Sequence, residues 1–187
     1  MKTLLHVCCA PCSVACVDWL REDGIAPVAF WHNPNIHPFT EYRQRRDTMK
    51  DYAKQIDLPL LLEDEYGLRP FVQAVCGDLQ HRCRHCYRCR LEAAAARAAR
   101  EGLESFTTTL LVSPYQNYAL LLETGREAGK KFGVAFLERD FRPRFREGQQ
   151  RARELGLYMQ KYCGCIFSEE ERYQKRPKKG PQQEKGD

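Results

Sequence analysis

The chain has 187 residues and a mass of 21.8 kDa, a length that suits one domain and excludes two full ones. Hydrophobic residues make up 43% and charged residues 29%, which excludes a chain that is disordered throughout. No apolar run approaches the roughly 18 residues of a membrane span, so we expect a soluble protein without a membrane partner. The formal net charge of +5 is too small to indicate nucleic-acid binding by itself.

The two ends of the sequence suggest where the folded part lies and where the protein works. Residues 1–172 are predicted to form one α/β domain and residues 173–187 a basic, disordered tail without aliphatic side chains. Met1 and Lys2 lead directly into a short strand-like segment, without the longer apolar region and cleavage site of a secretory signal. We therefore expect a cytoplasmic protein whose ten cysteines are mostly reduced.

Short apolar runs of β type alternate with segments of helical periodicity. The predicted strands are residues 3–7, 26–31, 58–62, 104–110 and 134–137. Helices are predicted from near Pro11, over about 39–56, over about 71–76, over about 86–100, and from Ser113. At the last of these, Ser113-Pro114-Tyr115-Gln116 resembles a capping box. This alternation predicts a single three-layer Rossmann-like α/β domain with a mostly parallel sheet, whose ligands bind beyond the carboxyl ends of the strands.

Eight of the ten cysteines form three clusters, and Cys16 and Cys76 are predicted to be buried hydrophobes. The clusters are Cys8, Cys9 and Cys12 after the first strand, Cys83, Cys86 and Cys89 among arginines and histidines, and Cys163 and Cys165 around Gly164. Thiolates two residues apart can bind one metal from a single turn, and two such pairs complete a set of four. Zinc and iron–sulfur clusters both accept that set. The second cluster is not a ferredoxin segment, because Ala93 stands where the fourth cysteine would be.

Two of the cysteine pairs also suggest redox chemistry. Cys9-Ala10-Pro11-Cys12 resembles a thioredoxin-type motif at a helix N-terminus, where the helix dipole lowers a thiol pKa. That interpretation leaves the other clusters without a purpose, so we favour the metal site. Cys163 and Cys165 cannot form a relaxed four-ligand site alone, but they could close a strained, labile disulfide that delivers two electrons as a dithiol. The alternative is a ligand pair for a second metal.

Basic and polar residues indicate a nucleic-acid partner. Arginines and lysines are dense in residues 43–54, 82–90 and 139–146, and such patches suit phosphate contacts. The acidic residues among those of 43–54 favour a solvated helix face for that patch instead. The aromatic residues beside them either lie in the core or stack on unpaired bases; they are Tyr42, Tyr87, Tyr115 and Phe141. Two asparagines after the second strand either contact a base or ribose or hydrogen-bond their own turn. The candidate RNA contacts are Asn33, Asn35, Arg82, Arg90 and Arg142.

Taken in order, these motifs resemble those of the cobalamin-independent epoxyqueuosine reductases, the QueH family. The resemblance extends over about residues 4–168. The matching segments are 6–12 (HVCCAPC), 33–36 (NPNI) with Glu41-Tyr42, Arg82-Cys83 with Cys86-Tyr87 and Arg90-Leu91, 108–111 (TTLL) with 113–116 (SPYQ), 140–143 (DFRP) and 162–165 (YCGC). Cys16 and Cys89 lie outside this pattern.

The resemblance implies a cytoplasmic enzyme that completes queuosine at the tRNA wobble position by removing the epoxide oxygen of epoxyqueuosine as water. It implies that two electrons are delivered through a 4Fe-4S cluster and allows an additional mononuclear iron. It requires two partners: tRNA carrying epoxyqueuosine and an electron donor. The implied cluster ligands are Cys8, Cys9, Cys83 and Cys86, with Cys163 and Cys165 as a redox-active pair. Spacing alone favours Cys9 and Cys12, so the assignment among Cys8, Cys9 and Cys12 stays open.

Opening an allylic epoxide to an alkene and water needs two electrons, two protons and an acid for the leaving oxygen. Asp140 is the first candidate proton donor and Tyr115 the second. A tRNA sulfur-insertion enzyme is one alternative, but residues 8–13 (CCAPCS) replace the Ser-Gly-Gly-x-Asp-Ser phosphate loop of those enzymes. Another is a zinc-stabilised RNA-binding module without catalysis, which would be colourless where a cluster makes the protein brown.

Overall fold

The computed structural model describes residues 1–174, which form one parallel sheet flanked by helices. The strands are β1 (Lys2–His6), β2 (Ala26–Trp31), β3 (Leu60–Leu62), β4 (Ser105–Thr108) and β5 (Ala135–Phe136). The helices are α1 (Ala10–Glu22), α2 (Phe39–Gln55), α3 (Leu68–Val75), α4 (Arg82–Arg100), α5 (Tyr118–Phe132), α6 (Phe145–Glu154) and α7 (Ile166–Tyr173). The predicted Rossmann-like α/β fold is confirmed. Nearly all of the predicted tail lies outside the described residues.

The strand order in the sheet is β3-β2-β1-β4-β5. Successive strands are added outward from β1 to β3 on one side of the sheet and from β4 to β5 on the other. The central strand β1 carries Leu4 and Leu5 without exposed surface, as expected for a parallel strand covered on both faces. Right-handed crossovers place α1 and α2 on one face and α4 and α5 on the other. The carboxyl ends of β1 and β4 are therefore the switch point at which open α/β sheets bind ligands.

Two element boundaries differ from the sequence prediction at the loop that follows β4. Helix α5 begins at Tyr118, because the Asn117 side chain caps it by accepting a hydrogen bond from the Leu120 N–H. The Ser113 hydroxyl instead accepts the Tyr115 N–H within a turn. Asn and Ser cap helices about equally well, and the capping-box prediction was wrong about which residue caps α5. Strand β4 also ends earlier than predicted, where the Thr108 hydroxyl starts a 3₁₀ turn.

Helices α6 and α7 were not predicted, and α4 begins one turn earlier than expected. Helix α6 is rich in charged residues, but its Gly148 lies so close to α1 that an added Cβ would be 2.8 Å from the Ala15 Cβ. Cys16 is buried as predicted, whereas Cys76 is exposed at the end of α3, contrary to the prediction. No helix between residues 1 and 174 combines the length and the apolar character that crossing a bilayer requires.

Candidate metal and redox site

Three cysteines converge at the switch point. The chain leaves β1 at His6 and enters α1 through Cys9, the N-cap residue, with Pro11 in the first turn. The sulfurs of Cys8, Cys9 and Cys12 lie within 4.8 Å of one another, and all three residues are buried. The Cys8 and Cys9 sulfurs are 3.8 Å apart. Three convergent buried thiols form a donor set for a thiolate-bound metal.

The Cys8 thiol is the most acidic of this group. Hydrogen bonds from the Cys12, Cys9 and Thr109 side chains hold the pKa of Cys8 well below the ordinary value of a thiol. The Thr109 hydroxyl lies 3.4 Å from the Cys8 sulfur and also accepts the Cys8 N–H at 3.1 Å. Burial raises the pKa of Cys9, and the hydrogen bond to Cys8 raises that of Cys12. Because Thr109 follows β4, both strands of the switch point shape the site.

The second cluster occupies the first turns of α4. Cys86 is buried and Cys83 is half-buried. The Arg90 guanidinium donates a hydrogen bond to the Cys86 sulfur at 2.9 Å. Burial opposes the positive charge of Arg90, whereas the nearby sulfurs of Cys86, Cys8 and Cys163 favour it, and the net effect raises the pKa of Arg90. Burial raises the pKa of the Cys86 thiol itself to about 12. One guanidinium therefore lies within electrostatic reach of all three cysteine clusters.

Cys89 lies apart from this convergence. Its sulfur is 4.0 Å from the His32 Nε2 atom, and burial raises its pKa. With Cys86, Asn35 and His85 it borders a separate cavity of about 230 Å³.

The third cluster pairs an exposed thiolate with a buried thiol. A hydrogen bond from the Cys165 thiol, opposed by burial, lowers the pKa of Cys163 to about 5. The same hydrogen bond raises the pKa of Cys165. Gly164 between them has φ +139°, and an added Cβ would be 3.1 Å from Ile36 Cγ1 and 3.3 Å from Arg45 Nη1. Glycine is therefore required there. Both cysteines are free thiols in this structure.

The segment that carries Cys163 is held in place by a buried arginine of α2. Arg45 donates to the carbonyl oxygens of Cys163 at 3.0 Å and Tyr162 at 2.9 Å, and to the Glu41 carboxylate at 2.6 Å. The second Glu41 oxygen accepts the Tyr158 hydroxyl. The sequence prediction placed Arg45 in a solvated basic patch. Glu41 lies one helical turn before Arg45, a spacing typical of an ion pair, so the sequence contained a signal for this contact.

A cavity of about 390 Å³ opens at the switch point, with Cys8, Cys12 and Cys163 in its wall. Tyr115 and Phe145 form an aromatic edge of this cavity, with ring centroids 6.0 Å apart. The Tyr115 side chain is 84% exposed, so its ring is free to contact a ligand. The other polar side chains of the wall include Gln160, Lys161 and Arg172. A ligand in this cavity would meet thiols, an aromatic face and positive charge together.

Several buried polar atoms near the cysteines have no hydrogen-bond partner among the described residues. Both amide atoms of Asn35 and the Oε1 atom of Gln160 are buried without a hydrogen-bond partner. The Gln160 amide nitrogen is 3.4 Å from the Cys12 sulfur, and Asn35 borders the same cavity as Cys86. An unpaired buried polar group costs about 1–3 kcal/mol, so a bound group that accepts or donates hydrogen bonds here would be stabilised by these atoms. The donor set and these orphaned atoms fit a thiolate-bound metal centre.

Burial argues against three of the predicted RNA contacts. Asn33 is fully buried and donates to the Val7 carbonyl at 2.9 Å, so it joins the ends of β2 and β1. Asn35 and Arg90 are each 2% exposed. These side chains were assigned to RNA because local sequence does not show which face a polar side chain occupies. Arg82 is half-buried and pairs with Glu171 at 2.6 Å, and Arg142 is exposed.

The structure also argues against Asp140 as the proton donor. It is not among the residues that line the cavity of about 390 Å³, whereas Tyr115 is. Both oxygens of the Asp140 carboxylate accept hydrogen bonds from Arg142, at 2.8 and 2.7 Å. These bonds lower the pKa of Asp140, which keeps the carboxylate ionised. Of the two candidates, the geometry favours Tyr115.

Comparison with known proteins places the chain in a family. Residues 3–171 match the family model described as epoxyqueuosine reductase QueH. The chain is 36% identical over 174 residues to the epoxyqueuosine reductase QueH of Dehalococcoides mccartyi, covering 93% of this chain and 96% of that protein. It is 37% identical over 182 residues to the protein of the same description from Thermotoga maritima, covering 92% of each. The chain therefore belongs to the epoxyqueuosine reductase QueH family.

Proposed function

We propose that this protein reduces epoxyqueuosine to queuosine in tRNA and releases the epoxide oxygen as water. As a member of this family, the chain is an oxidoreductase. The observation that carries the proposal is that Cys8 and Cys12 of the buried three-thiol group lie with the low-pKa Cys163 on the wall of one cavity. Reduction of a bound epoxide requires the electron source and the substrate to be held together, which this arrangement provides.

Five of the six cysteines in the first two clusters, all except Cys89, are proposed to hold a 4Fe-4S cluster and an additional mononuclear iron. We assign Cys8, Cys9, Cys83 and Cys86 to the cluster, which leaves the Cys12 thiol for the second iron. When bound, this group supplies single electrons and an iron that acts as a Lewis acid. The buried group of Cys8, Cys9 and Cys12 supports a thiolate-bound centre at this place, as do the orphaned atoms of Asn35 and Gln160, and the assignment of Cys83 and Cys86 follows the family resemblance.

Cys163 and Cys165 are proposed to deliver the reducing equivalents. Oxidation of this dithiol to a disulfide releases two electrons and two protons, which equals what the epoxide consumes in forming an alkene and water. A disulfide across a single glycine is strained and so readily reduced again by an external electron donor. The Tyr115 hydroxyl at the cavity edge is proposed to donate a proton to the leaving oxygen.

The tRNA is proposed to bind across the mouth of this cavity. A base that leaves its stack can pack on the exposed Tyr115 ring, which Phe145 supports from the side. Lys161 and Arg172 on the cavity wall, with Arg82 and Arg142, are proposed to contact phosphates. Since tRNA is the partner, we place the protein in the cytoplasm.

Anaerobic reconstitution with iron and sulfide tests this function. We expect a brown protein with labile sulfide that, given dithionite, removes one oxygen atom from epoxyqueuosine in tRNA, measured by mass spectrometry of the nucleosides. Cys8→Ser is expected to lose iron and activity, whereas Cys76→Ser, at an exposed cysteine, keeps both. A loaded protein that leaves epoxyqueuosine intact would refute the function. A colourless zinc protein that reduces it would refute the cluster.

A further inference from the structure

Arg90 is buried against a thiol. Its side chain is on α4, and the residue is 2% exposed. Its Nη2 atom donates to the Cys86 sulfur at 2.9 Å, and its Nε atom donates to the Cys86 carbonyl at 3.3 Å. Two bonds to one residue fix the orientation of the guanidinium fork. Because a guanidinium is always protonated in proteins, a full positive charge is held beside this sulfur.

The two fully buried arginines among the described residues have different counter-charges. Arg45 forms an ion pair with Glu41. Within residues 1–174, Arg90 has no carboxylate partner, and its guanidinium lies 2.9 Å from the Cys86 sulfur. Burying an unpaired charge is costly, so a negative charge on this sulfur, such as a metal-bound thiolate carries, is the compensation that the geometry offers Arg90.

We propose that Arg90 is the internal counter-charge of the metal centre and raises its reduction potential by stabilising the reduced, more negative state. This inference rests on the iron–sulfur centre of the proposed function. A positive charge stabilises added negative charge most strongly in a water-poor interior. Hydrogen bonds to ligand sulfurs and the net charge around them are the protein's means of setting such a potential. Arg90 contacts a ligand and not the substrate, so it is a positioning residue.

The experiment compares Arg90→Gln and Arg90→Lys with Arg88→Gln, which changes an exposed arginine of the same helix. Each protein is reconstituted anaerobically, its iron and sulfide are counted, and its midpoint potential is measured by EPR-monitored titration. For Arg90→Gln we expect at least a tenfold lower ratio of reduced to oxidised centre at a fixed ambient potential. That ratio corresponds to about 59 mV for a one-electron couple. Arg88→Gln and Arg90→Lys are expected to stay near the wild type.

Each outcome decides the inference. A fully loaded Arg90→Gln protein with the wild-type potential overturns it and leaves the proposed function standing. If Arg90→Gln does not retain iron, the Arg90→Lys variant tests the inference. An Arg90→Lys protein that holds the centre at the wild-type potential supports the role of the positive charge. An Arg90→Lys protein without the centre, or with a different potential, overturns that role. If the wild type itself binds no iron–sulfur centre, both the proposed function and this inference fall.

Discussion

Replacement of Arg45 by Met is expected to destabilise the protein by about 3–5 kcal/mol. The Arg45 side chain is 1% exposed and the Glu41 side chain 9%, so the substitution leaves a carboxylate buried without its counter-charge. Tyr158 still donates to that carboxylate, which keeps the cost within this range. Met fills a similar volume, so little cavity is created. The carbonyls of Tyr162 and Cys163 lose their donors as well.

Urea unfolding of the metal-free protein under anaerobic conditions, followed by circular dichroism, measures this loss. Arg46→Met is the matched control, because Arg46 pairs with Asp47 and Asp64, whose side chains are 48% and 45% exposed. Exposed pairs contribute about 0–1 kcal/mol. The double variant Glu41→Gln with Arg45→Met is expected to recover part of the loss, since it removes the unpaired charge. If Arg45→Met lowers the free energy of unfolding no more than Arg46→Met does, the buried Arg45–Glu41 ion pair is not what stabilises this region.

Two further predictions concern chemistry. Alkylation of Cys163 is expected to stay fast down to about pH 5, because its thiolate is protonated only below its pKa of about 5. In Cys165→Ala that pKa rises toward 9.0, so alkylation near neutral pH slows at least tenfold. Peptide mapping by mass spectrometry measures this rate. Unchanged alkylation in Cys165→Ala would show that another group lowers this pKa. Tyr115→Phe is expected to lower turnover of the epoxide about 100-fold or more without weakening tRNA binding. Asp140→Asn is expected to keep near wild-type turnover. The opposite pattern would identify Asp140 as the proton donor.

The sequence by itself determined the architecture and the chemical character of the site. Apolar runs separated by helical segments predicted the parallel sheet, and β2 was placed with its observed ends. The positions of Cys8, Cys9 and Cys12 after a strand and at a helix start predicted a group of thiols at the ligand-binding edge. These are local signals: strand and helix periods, and residue types within one turn of each other.

The tertiary structure decided which polar groups face inward and which distant ones meet. Thr109 contacts Cys8 across 101 positions of sequence, and Arg45 reaches the Cys163 carbonyl across 118. Arg90 and Asn33 were predicted at the surface but are buried, because the periodicity of a segment does not show what charge or carbonyl packs against it. Local patterns follow from backbone geometry, whereas the partners of a buried charge depend on how separate elements pack together.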